Sequence, residues 1–119
     1  MTLRAELQAA LDDMAQFYAA GDAVACAALF TTDATLVSSY GPPAQGRAAI
    51  AALHRDWTKA ATAKTFEILD CGGGGETAWA LARFSEGRIT GAGTTLAVFE
   101  RRECTGWLVR VCSLNSAET

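Results

Sequence analysis

The strongest constraint on the fold lies in the second half of the chain. Four strand-like runs, at residues 65–71, 77–85, 94–102 and 107–114, are separated only by turn chemistry. The separators are Gly72 to Gly75, Glu86 to Gly93 and Glu103 to Gly106. Links this short and glycine-rich join antiparallel neighbours, because a parallel crossover needs a dozen or more residues. The first half reads helical instead. Leu3, Leu7, Leu11, Met14 and Tyr18 recur at intervals of three and four, which places them on one helical face. Gly21 ends that helix and Asp22 caps a short alanine-rich second one at residues 24–30. A first strand at residues 34–40 closes at Gly41-Pro42-Pro43, and a third helix runs from about residue 47 to 61 with Ile50, Leu53, His54 and Trp57 on its apolar face. The predicted order is ααβαββββ, an α+β domain with a curved antiparallel sheet wrapped on three helices.

Length and composition exclude several classes. A chain of 119 residues makes one domain over residues 1–119 and needs no disulfide or metal staple to bury a core. Its 10 basic against 13 acidic residues, net −3, give no basic footprint for nucleic acid. The longest apolar run covers residues 23–30, far short of a membrane span, and Glu6 stands where a signal peptide needs apolar residues. Cys26, Cys71, Cys104 and Cys112 form no CxxC pair and one histidine is available to join them. They read as reduced, small apolar side chains of a cytoplasmic protein, with no metal or organic cofactor implied. Gly72 to Gly75 lacks the Lys-Ser/Thr of a phosphate loop, and no glycine set opens a helix after a strand as a dinucleotide site requires. No nucleophile-elbow sequence surrounds Ser38.

Three stretches carry a family resemblance: Tyr18-Ala19-Ala20-Gly21-Asp22, Ala28-Leu29-Phe30-Thr31-Thr32-Asp33-Ala34-Thr35-Leu36, and Gly46-Arg47-Ala48-Ala49-Ile50. With Phe99-Glu100-Arg101-Arg102 through Gly106-Trp107-Leu108-Val109, this ordered set resembles the nuclear transport factor 2-like superfamily. Within it, the likeness is to SnoaL-like and ketosteroid-isomerase-like small bacterial proteins. The resemblance implies a cone-shaped, cystatin-like α+β barrel, open at one end, that forms homodimers through its sheet. It also implies where chemistry would sit. Steroid isomerases of this type use an aspartate base with a tyrosine and a protonated aspartate as oxyanion donors. Those positions fall on Ser38, Met14 and Ala97 here, and none of the three side chains can take over its role. The resemblance places His54 where a supporting tyrosine stands, and Val111 where a pocket histidine often stands.

Strand alternation proposes the rest of an enclosed, mostly apolar pocket for a small organic ligand. Leu36, Ser38 and Tyr40 share one face; Trp79 and Leu81, if inward, bring Arg83 with them; Trp107, Val109, Val111 and Ser113 share another. Met14, Tyr18, Leu53, His54 and Trp57 add the helical wall. Each polar member has a plain structural reading beside its functional one. His54 is either a hydrogen-bonded core histidine or a general acid/base, and burial predicts a pKa below its usual value. Arg83 is either an anion clamp or, one residue out of register, an exposed side chain. Tyr40 either lines the pocket or closes its mouth. Asp33 reads as a turn or capping residue. Leu108, Arg110, Cys112 and Leu114, with Leu96 and Val98, are expected on the outer face as an apolar stripe that a second copy covers.

Overall fold

The computed structural model describes residues 2–39, 41–60, 63–86, 92–102 and 106–116. Helix α1, Leu3–Ala19, starts at Thr2, whose hydroxyl accepts the Ala5 N–H, and buries Leu7, Leu11, Met14, Ala15 and Tyr18. Gly21 then turns the chain at φ +73°, a conformation glycine adopts without a Cβ penalty. The Asp22 carboxylate accepts the Ala25 N–H at 3.1 Å and so caps α2, Ala23–Ala28. Strands β1, Phe30–Ser38, and β2, Gly41–Gln45, precede α3, Arg47–Trp57, which tightens into a 3-10 turn over Thr58–Ala60. Four long strands follow: β3 Thr65–Gly74, β4 Thr77–Ser85, β5 Ala92–Arg102 and β6 Gly106–Ser116.

The six strands form one sheet in the order β2-β1-β6-β5-β4-β3. Every neighbouring pair is antiparallel except β1 with β6, which is parallel. Two features therefore differ from the sequence reading. The parallel pair forms because all the intervening chain lies between its two members, long enough for a crossover. Gly41-Pro42-Pro43, expected as a closing loop, belongs instead to strand β2. At the sheet edge a proline's missing N–H costs no ladder bond, so the segment pairs with β1. The short second helix ends at Ala28, two residues early, because Phe30 already begins β1. Asp33 lies inside β1 rather than before it; it accepts the Thr31 hydroxyl at 2.9 Å and stands 3.6 Å from Arg110.

The sheet curves at irregularities in β1, at β3 between Ile68 and Asp70, and opposite Val98 and Phe99 on β6. The helices pack on its concave side. Leu7, Cys26, Ile50 and Phe99 are fully buried there, at 0 % exposure.

On β4 the burial alternates with Ala78, Ala80, Ala82 and Phe84 inward. Trp79, Leu81 and Arg83 thus stand on the outer face, and their expected pocket positions are corrected. Apart from Phe84, the larger apolar side chains of this strand are not the inner ones; Ala78, Ala80 and Ala82 pack into the buried core instead. Val111 and Ser113 are corrected for a different reason. Val98 pairs with Val111 but Phe99 pairs with Val109, so Arg110 is an extra residue on β6. That bulge reverses the face of everything beyond it. Cys112 and Leu114 turn inward, away from the expected outer stripe, and Val111 and Ser113 turn outward.

Candidate functional site

The inner face and the helices line a partly open cavity of about 40 Å³, room for about three water molecules. Leu11 and Met14 of α1, His54 and Trp57 of α3, and Leu36 of β1 form one side. Phe30, Phe66, Thr95, Ala97, Val109, Cys112 and Leu114 form the sheet side, with Lys64 at the start of β3. Of the residues expected to meet at a site, His54, Met14, Leu36, Trp57 and Ala97 do so. Tyr18 is buried behind this wall, its hydroxyl donating to Glu86 Oε1 at 2.8 Å. Leu53 packs half-buried against the core. Ser38 shares the inner face with Leu36 and pairs with Leu114, but it is half-exposed and outside the cavity lining. Tyr40 lies outside the described residues, as do Cys104 and most of the link from Glu86 to Gly93.

His54 is 4 % exposed. Its Nδ1 lies 2.9 Å from the Ile50 carbonyl oxygen, one turn earlier on α3. A carbonyl oxygen only accepts, so Nδ1 holds the proton and the neutral ring keeps Nε2 as an acceptor. The ring is fixed further by Trp57, edge-on at 5.3 Å, and by Phe30 at 6.0 Å. Burial pushes its pKa below the usual imidazole value; the Ile50 hydrogen bond opposes this and the charge of Lys64 reinforces it. This agrees in direction with the expectation from its apolar helix face.

Lys64, Glu86, Thr95, Phe66 and Cys112 were missed by the sequence reading. Glu86 was legible in principle: alternation carried from Phe84 in the correct parity puts it inside, where it is 1 % exposed. Lys64 stands before a strand, in no periodic pattern, and nothing in the sequence marks it. Its ammonium sits 4.3 Å from the Tyr18 ring centroid, 5.3 Å from that of Phe84 and 5.4 Å from that of Phe66. Burial lowers its pKa, while Glu86 raises it. Cys112 shares a hydrogen bond of 3.1 Å with the Thr95 hydroxyl, and burial raises its pKa. Cys26 is pushed up to about 11 by burial. Both sulfurs are protonated thiols near neutral pH, poor nucleophiles and poor metal ligands. Among the described residues no group of three His, Cys, Asp or Glu could hold a metal ion, and no helix is long and apolar enough to cross a membrane.

Three helices on a curved six-stranded sheet, with a small cavity between α1, α3 and the sheet, define a cystatin-like α+β fold. The chain belongs to the SnoaL-like domain family, whose profile matches residues 11–110. Solved structures of similar shape include a cystatin-like domain of unknown function from Nostoc punctiforme, with 20 % identity and TM-score 0.82 over 100 % of this chain and 81 % of that one. A ketosteroid isomerase-like protein from Erwinia carotovora atroseptica shows 16 % identity and TM-score 0.81, covering 98 % and 97 %. A nuclear transport factor 2-like protein from Novosphingobium aromaticivorans shows 23 % identity and TM-score 0.78, covering 97 % and 82 %. At these identities the likeness is one of fold. No curated protein matches the chain.

Proposed function

We propose that this cavity binds a small, mostly apolar organic molecule and that His54 offers its Nε2 lone pair to it. The observation that carries this reading is the commitment of Nδ1 to the Ile50 carbonyl inside an apolar wall. That tether leaves a neutral ring one acceptor nitrogen, which suits recognition of a ligand hydroxyl. It also favours a second reading, an enzyme of the SnoaL-like type in which His54 takes a proton from its substrate. Steroid-isomerase chemistry is not part of either. Met14 and Ala97 line the cavity and neither side chain donates a hydrogen bond. The cavity volume limits the ligand to a few heavy atoms unless the walls part, well below the roughly 300 Å³ of a drug-sized site.

The test is a thermal-shift screen with small alcohols, ketones and aromatics. Wild type is expected to gain several degrees with at least one compound at saturation. Ala97→Leu, which fills the cavity, is expected to keep the fold and lose that gain. A screen with no response in wild type contradicts the reading.

We also propose that the chain works as a homodimer in the cytoplasm. On the outer sheet face Trp79, Val98 and Val111 form one cross-strand row, and Leu81, Leu96 and Ser113 the next, flanked by Val37. Trp79, Leu96 and Val111 remain 38 %, 43 % and 37 % exposed, a contiguous apolar surface that water disfavours. Burying it against a second copy accounts for the large side chains placed outward on β4. Leu96→Glu is expected to turn a particle of twice the 12.5 kDa chain mass into a monomer by sedimentation. A wild-type monomer at high micromolar concentration removes the idea. The described cysteines Cys26, Cys71 and Cys112 are free thiols, consistent with a reducing compartment.

A further inference from the structure

The cavity lining includes one formally charged side chain among the described residues, Lys64. Its ammonium is held over three aromatic faces, Tyr18, Phe66 and Phe84, which stabilise a cation but accept no ordinary hydrogen bond from it. Among the described residues it has no hydrogen-bond acceptor and no carboxylate oxygen within ion-pair distance. An ammonium carries three N–H donors, and leaving them unmet in a half-buried site is unfavourable. The nearest acidic influence, Glu86, accepts the Tyr18 hydroxyl and is not part of the cavity lining, so a molecule in the cavity meets the cation rather than the anion. The remaining polar wall groups add no negative charge: His54 is neutral with Nδ1 engaged, and the Thr95 hydroxyl is shared with Cys112.

We propose that Lys64 selects the ligand's polar handle, and that the cavity takes a small organic carboxylate whose apolar body lies against Met14, Leu36 and Trp57. This deepens the ligand-site reading and rests on it. The carboxylate accepts from the Lys64 ammonium, a charge-assisted bond that a neutral amide of the same shape matches poorly. A ligand with both a carboxylate and a hydroxyl would engage Lys64 and His54 together.

The experiment is calorimetric titration of the purified full chain at pH 7.5 with acetate and propionate, each paired with its amide. The acids are expected to bind at least tenfold more tightly than acetamide and propionamide. Lys64→Gln is expected to erase that difference, with the acids losing at least tenfold in affinity. Amides that bind as well as the acids overturn the carboxylate proposal and leave the cavity reading standing. Equal acid affinity in wild type and Lys64→Gln also overturns it. Failure of all four probes removes both. Should Lys64→Gln fail to fold, the acid-against-amide ratio in wild type decides alone, and Lys64→Met provides the second variant.

Discussion

Truncating Phe99 to alanine lowers the stability of the fold by about 3–5 kcal/mol, the cost of a lost aromatic side chain plus the cavity it leaves. Phe99 is 0 % exposed and sits in the middle of β5, paired with Ala78 on one side and Val109 on the other. Its nearest inner-face neighbours on β4 and β5 are alanines, at 78, 80 and 97, which have no side-chain length with which to refill the space. The bulge beside it, where Val98 and Phe99 face Val111 and Val109, further restrains the backbone from closing in. A domain of this kind is stable by about 5–15 kcal/mol in total, so the variant loses much of its margin. Urea unfolding followed by far-UV circular dichroism is expected to show a lower midpoint at unchanged slope. A midpoint within experimental error of wild type would mean that the inner face of β5 is wrongly assigned.

Gly93→Ala is the second large effect. A Cβ at Gly93 would lie 2.1 Å from the Asn115 carbonyl oxygen and 2.7–2.8 Å from two atoms of the Phe84 ring. The oxygen belongs to the backbone of the adjacent strand, where Gly93 pairs with Ser116 and Thr94 with Asn115, so it can retreat only by opening the ladder. Phe84 is 1 % exposed and has no free space to enter. Overpacking of this kind costs about 1–3 kcal/mol, and a backbone clash places the variant at or above the upper end. Gly74→Ala serves as the control. A Cβ there meets nothing within 4 Å, and its backbone lies outside the left-handed region. That variant is expected to be neutral or stabilised by a few tenths of a kcal/mol through a less flexible unfolded chain. The pair is compared by thermal melting, and equal melting temperatures would contradict the packing described at the β5–β6 edge.

The layout of helices and long strands was legible because their signals are local. The spacing of Leu7, Leu11, Met14 and Tyr18 dictates one buried stripe, and Asp22 after Gly21 marks a helix boundary with a specific hydrogen bond behind it. The faces of the sheet were less legible because period-two alternation has two solutions. On β4 the choice between Trp79-Leu81-Arg83 and Ala78-Ala80-Ala82 depends on what packs against each face. That is a tertiary fact: Ala78, Ala80 and Ala82 are the side chains that join the buried core, and their outward neighbours are not. On β6 the alternation itself breaks at Arg110, and no residue type announces the bulge. These two errors account for Trp79, Leu81, Arg83, Val111 and Ser113. The helical contributors, Met14 on α1 and His54 and Trp57 on α3, were found because each of these helices carries one apolar face. Lys64 was invisible for the opposite reason: a lysine between a helix and a strand ordinarily points to water, and only the three rings around it show otherwise.

His54 is a neutral imidazole held by Nδ1 in an apolar cavity wall. The chain has one histidine, so its ring signals can be followed through a nuclear magnetic resonance pH titration without assignment by mutation. The expected result is the Nδ1–H tautomer at pH 7 and a titration midpoint below the usual value of about 6.5. Because the folded ring resists protonation more than the unfolded one, the unfolded chain binds the extra proton first. Stability contributed by neutral His54 is therefore intact above about pH 6.5 and is lost as pH falls from there through the folded-state midpoint. A midpoint above 7, or a proton resident on Nε2 in the neutral ring, would contradict both the tether to Ile50 and the acceptor role assigned to this residue.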